Sequence, residues 1–168
     1  MSAIPFKAAL FDLDGTLLDS LYVWKRVDEL FFVNRGMAIP ENYGRAIAGM
    51  SYRESAEYTC RNYAPCEKWE DVVNEWMRLA ADEYAHRVPL KPGSLEYLRM
   101  LKREGVKLAV TTAMPHSLFI PCLENLGVLE LFDELCSTDQ TGGHGKAEGK
   151  IYRLAAQKLG VAPTYQDF

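Results

Sequence analysis

The sequence is poor in the residues that build metal and disulfide frameworks. Its 168 residues include four cysteines and three histidines. The cysteines, at positions 60, 66, 122 and 136, form no Cys-x-x-Cys pair, which argues against a zinc site and against a disulfide scaffold. Cys122 and Cys136 read instead as small buried hydrophobes. Long apolar runs are missing as well. No stretch of about 18 apolar residues is present to span a bilayer, and residues 1–7 lack the basic-then-apolar pattern of a secretory signal. The expectation is a cytoplasmic protein with reduced thiols and no membrane partner. Positive charge is not in excess: 19 Lys and Arg against 23 Asp and Glu give a formal net charge of −4, which argues against nonspecific nucleic-acid binding. Internal repeats and low-complexity tracts are also absent.

What is present suits an ordinary globular protein, with 48% hydrophobic and 25% charged residues. A chain of this length has room for one domain with a modest insert and buries roughly 70% of its unfolded surface. Residues 8–11, 106–110 and 132–136 are short, nearly continuous apolar runs, the pattern of parallel strands covered on both faces. Polar residues follow each run at its carboxyl end, where open α/β sheets bind ligands. Leu95, Leu98 and Leu101 share a helical face before Gly105, and Ile151, Leu154, Ala155 and Leu159 share another before Gly160. Pro121 interrupts residues 115–126, so a kink or a late helix start is expected there. Strand alternating with helix predicts an α/β fold with a parallel sheet.

Residues 20–87 break that alternation. Leu21, Trp24, Val27, Leu30 and Phe31 form one helical stripe, and Trp69, Val72, Val73, Trp76, Leu79 and Ala80 form another. Ser51-Tyr52-Arg53-Glu54 reads as a capping box opening a helix between them. The segment is expected to be an all-helical insert with its own small core.

Asp12 and Asp14 end the first apolar run and precede Gly15. Side chains two apart on a strand point the same way, so two carboxylates face one pocket. Such a pair needs a cation, a shared proton or a functional reason, and hard oxygen donors suit Mg²⁺.

The string Phe11-Asp12-Leu13-Asp14-Gly15-Thr16-Leu17-Leu18-Asp19-Ser20 resembles the first motif of the haloacid dehalogenase-like hydrolases, in the phosphatase and phosphomutase branch whose helical cap follows that motif. Later landmarks fall in the family's order: Lys91-Pro92-Gly93 resembles the return from cap to core, Val110-Thr111 the second motif, and Lys146 the third, with Lys150 as the competing lysine. The resemblance implies a Rossmann-like core at 1–19 and 88–168 with a cap at 20–87. It implies a nucleophile at Asp12, an acid/base at Asp14, phosphoryl contacts from Thr111 and Lys146, and Mg²⁺ held by Asp12 and the backbone carbonyl of Asp14. Gly15 and Thr112 would lie against the phosphate, and Arg53 against a second anionic group of the substrate. The implied partner is a small phosphorylated metabolite. In the sugar-phosphate mutases a His stands where Trp24 stands here, and Arg53 is offset by one residue, which favours a phosphatase over a mutase. The family's fourth acidic motif has no counterpart, since Asp167 follows no apolar run. The chain is therefore expected to be a C-terminal truncation that lacks the last strands and leaves a sheet edge open to self-association. A mutase and a noncatalytic phosphate-binding module stand as alternatives.

Overall fold

The computed structural model of the chain describes residues 4–141, 146 and 149–162. Two compact units divide the chain: one joins the N-terminal stretch through Leu21 to everything from Tyr84 onward, and the other is Tyr22–Glu83.

The first unit is built on a three-stranded parallel sheet, β1 (Ala8–Phe11), β2 (Lys107–Thr112) and β3 (Glu134–Ser137), in the order β1-β2-β3. Its helices are α5 (Ser94–Arg103), α6 (His116–Asn125) and α7 (Lys150–Leu159). Leu108, Ala109 and Val110 are all fully buried, because β2 is central and both faces are covered. Ala109 and Cys136 pack on Ile151, Ala155 and Leu159 of α7, joined by Ala8 and Leu10. Alternation along the strand sends Phe11 to the opposite face, where its ring meets Tyr97 of α5 and Phe132 edge-on at 6.1 and 6.4 Å. Burying such small and branched apolar side chains stabilises the sheet by about 25 cal/mol per Å² removed from water.

The strand and helix limits differ from the sequence reading in small ways. β2 runs on through Thr111 and Thr112, because their backbone groups pair with Cys136 and Ser137. β3 begins at Glu134 rather than Phe132, since Leu129–Leu131 forms a 3₁₀ turn that delivers Phe132. Helix α6 starts at His116 and continues through Pro121 instead of starting late. Burial of Leu118, Phe119, Cys122 and Leu123 along that helix offsets the one backbone hydrogen bond the proline cannot make. Gly105 and Gly160 do stop α5 and α7, both at positive φ.

The second unit is helical throughout: α1 (Val23–Val33), α2 (Tyr43–Ile47), α3 (Tyr52–Tyr63) and most of α4 (Trp69–His86). Ser51 and Glu54 make both hydrogen bonds of the capping box that opens α3. The α1 stripe is Val23, Val27 and Phe31 with Phe32, whereas Leu21 is exposed and lies outside the helix. Helix α1 begins two residues after Leu21, so Leu21 has no place on the helix's apolar face. The core is aromatic: Phe31 stacks edge-on against Trp76, and Phe32 against Tyr43 and Tyr63. Among the described residues, no helix is long and apolar enough to cross a membrane.

Candidate active site

The register Phe11↔Val110 and Thr112↔Ser137 brings the carboxyl ends of all three strands to one edge of the sheet. The loop leaving β1 is tightly closed. The Leu13 carbonyl accepts from the backbone N–H groups of Thr16, Leu17 and Leu18, and Gly15 N–H donates to Leu18 O at 3.1 Å. Gly15 sits at φ +70°, a conformation that side chains disfavour. A Cβ there would also come within 2.9 Å of Leu21. The loop is stitched to the incoming chain, with Asp19 N–H on Pro89 O and Lys91 N–H on Leu17 O. Backbone geometry thus orients the Asp12 and Asp14 side chains.

Asp12 Oδ1 accepts from the Leu13 N–H at 2.8 Å and is ion-paired with the Lys146 ammonium. Lys146, one of the two candidate lysines, reaches the Asp12 carboxylate; Lys150 is the first residue of α7. Thr111 is buried at the end of β2, and its hydroxyl donates to Phe11 O at 3.4 Å, one residue before Asp12. Thr112 Oγ1 accepts from Met114 N–H at 3.1 Å, which folds the loop after β2 back on itself. Ser137 at the end of β3 ties down the same loop by donating to Met114 O at 2.8 Å. Asp12, Lys146 and Thr111 thus gather at one sheet edge.

Asp14 is handled differently. Its Oδ1 accepts two hydrogen bonds, from Ser20 Oγ at 2.6 Å and from Tyr84 Oη at 2.8 Å. Ser20 belongs to the recognised string, but its contact with Asp14 was not foreseen. Tyr84 carries no local signal at all, being 70 residues away and brought back by the end of α4. Cys122, on α6, lies close enough to feel Asp14. Burial first, and the Asp14 carboxylate second, push its thiol up to about 12, so it is inert at neutral pH.

The donor set fits Mg²⁺ in kind. Asp12 supplies a hard carboxylate oxygen and the backbone carbonyl of Asp14 a second oxygen, which leaves the Asp14 carboxyl, held by Ser20 and Tyr84, for proton transfer. No group of three or more His, Cys, Asp or Glu side chains suited to a metal ion occurs among the described residues. An ion held by one carboxylate, a backbone carbonyl, water and substrate phosphate is compatible with the oxygen-rich coordination of Mg²⁺. The neighbours of Lys146 at 147–148, and Asp167, lie outside the described residues.

Arg53 belongs to the helical unit. Its guanidinium donates to Glu57 at 2.8 Å and lies over the Trp69 ring at 5.0 Å. The same unit holds a cavity of about 390 Å³ lined by Trp24, Asp28, Met50, Tyr52, Ser55 and Trp76, among others. The Trp76 indole N–H is buried and has no hydrogen-bond partner among the described residues. Asp28 is pushed up to about 6, by burial first and by Glu29 second.

Comparison with known proteins agrees with this geometry. Residues 6–164 match the family described as haloacid dehalogenase-like hydrolase. Hexitol phosphatase A of Escherichia coli is 31% identical over 161 residues, covering 94% of this chain and 70% of its own. The phosphorylated carbohydrates phosphatase of Thermotoga maritima is 27% identical, covering 94% and 72%. Among solved structures, a candidate beta-phosphoglucomutase from Thermotoga maritima superposes with a TM-score of 0.83 at 24% identity, covering 95% of this chain and 74% of that one. The chain belongs to the haloacid dehalogenase-like hydrolases, in their helical-cap phosphatase branch.

Proposed function

We propose that this chain hydrolyses small phosphomonoesters of the phosphorylated-carbohydrate class through a covalent intermediate on Asp12. The observation that carries the reading is the Asp12–Lys146 ion pair at the carboxyl edge of the sheet, beside the end of β2. A carboxylate held by one backbone N–H and one ammonium is oriented, partly exposed and ready to attack. An Asp12 oxygen bonds to phosphorus while the ester P–O bond breaks, and the Asp14 carboxyl gives its proton to the departing alkoxide. Water then attacks the aspartyl-phosphate, Asp14 takes that water's proton, and the Asp12–phosphorus linkage breaks to release inorganic phosphate. Lys146 offsets the charge of the phosphoryl oxygens, and the Thr111 hydroxyl is the nearest side-chain donor on the neighbouring strand. Thr112 and Gly15 line the same edge, and Gly15 lets the backbone approach closely. Asp12 and the backbone carbonyl of Asp14 would hold Mg²⁺, which would supply further positive charge to the transferring group. The names of the relatives, which act on hexitol phosphates and phosphorylated carbohydrates, support the substrate class. Arg53 is a candidate contact for a second anionic group, provided it leaves Glu57.

Asp12→Asn tests the reading. Release of phosphate from hexitol phosphates is expected to fall by on the order of 10³-fold or more, with the circular dichroism spectrum unchanged. Retained turnover would refute the nucleophile.

A further inference from the structure

We propose that Tyr84, together with Ser20, is a positioning residue that fixes the Asp14 carboxyl for proton transfer. The inference rests on the acid/base role proposed above for Asp14. Both hydroxyls donate to the same oxygen, Oδ1, at 2.8 and 2.6 Å. Tyr84 and Ser20 are each 1% exposed, so bulk water does not compete for these bonds. The terminal torsion of an aspartate is soft and nearly two-fold. Two donors on one oxygen, from residues six and seventy positions away in the chain, remove that freedom. In the first half-reaction the Asp14 carboxyl gives its proton to the departing alkoxide, and in the second it takes one from the attacking water; a carboxyl held in one orientation serves both.

A buried tyrosine hydroxyl also needs a partner simply to be satisfied. The experiment must therefore separate positioning from mere structural support, and the leaving group does so. The parameter kcat/KM reports only the steps through formation of the aspartyl-phosphate. The alkoxide of a hexitol phosphate needs a proton to depart, whereas p-nitrophenolate departs without one. Tyr84→Phe keeps the ring and removes only the hydroxyl. Its kcat/KM is expected to fall about 10-fold on a hexitol phosphate and less than about 2-fold on p-nitrophenyl phosphate. Ser20→Ala should show the same selectivity. It supplies a second reading should Tyr84→Phe unfold, which thermal melting would reveal. An equal fall on both substrates, or no fall on either, overturns the proposal. Asp14→Asn measured alongside shows which idea has failed. If it also ignores the leaving group, the acid role of Asp14 falls and takes the positioning role with it. If Asp14→Asn discriminates and both hydroxyl variants do not, only the positioning role falls.

Discussion

Asp28 illustrates how one side chain can act against the stability of its own fold. Its carboxyl lies half-buried beside the aromatic cavity of the helical unit, with Glu29 adding like charge. The native state therefore holds a proton up to about pH 6 that the unfolded chain releases near 3.8. Because the folded form binds more protons in that window, stability falls as pH rises from about 4 to about 6, and the cost persists above it. Allowing for the water that reaches a partly exposed group, the cost is about 1–2 kcal/mol. Asp28→Asn should match the parent in melting temperature near pH 4 and exceed it at pH 7.5. Equal melting temperatures at both values would contradict this. Such a group, lining the same cavity as a Trp76 N–H that has no partner among the described residues, marks the cavity as a place to test substrate contacts. At this scale sequence reading reached Asp12, Asp14, Thr111 and Lys146 through one string and the order of later landmarks. Asp28 and Tyr84 escaped it, because an acidic residue or a tyrosine on a helix is locally indistinguishable from a solvated or core residue.

Among the elements, the loop after β1 and the junction of α1 with α4 hold the most concentrated interactions. Gly15 is required twice, once by its positive φ and once by Leu21. Gly15→Ala should cost about 1–2 kcal/mol from strain alone and should lower phosphatase activity, because the same loop aims Asp12 and Asp14. A variant as stable and as active as the parent would remove this role from the turn. In the helical unit, Arg35 follows α1 and donates to Glu67 and to Glu75 at 2.7 Å, with its guanidinium 3.6 Å over the Phe31 ring. The side chains of Arg35 and Glu75 are mostly buried. Arg35→Ala strands two carboxylates and should cost about 2–4 kcal/mol, read from urea unfolding, whereas Glu67→Gln should cost much less. The elements themselves were largely legible. Continuous apolar runs marked the strands, and the capping box and the glycine stops marked helix ends. The α1 stripe was misread at Leu21 because periodicity does not say where a helix begins. Of the two outcomes expected at Pro121, the late start does not occur, because burial along α6 outweighs the local penalty.

For the molecule as a whole, a parallel sheet whose carboxyl edge carries Asp12, Thr111 and Ser137 sets where chemistry takes place. The Asp12 carboxylate and the Asp14 backbone carbonyl at that edge predict that a chelator abolishes phosphomonoesterase activity and that added Mg²⁺ restores it; activity unaffected by exhaustive chelation would remove the ion from the reaction. Local patterns in the chain were enough to specify an α/β core, a helical insert and the residues of the first motif. Hydrophobic periodicity and turn chemistry act over a few residues and leave their mark in the string itself. Other features depended on contacts between distant segments. Pairing Asp12 with Lys146 and closing Tyr84 onto Asp14 across 70 residues both follow from strand register and helix packing. No window of sequence encodes these, since they exist only once the strands are aligned and water has been excluded from between the elements.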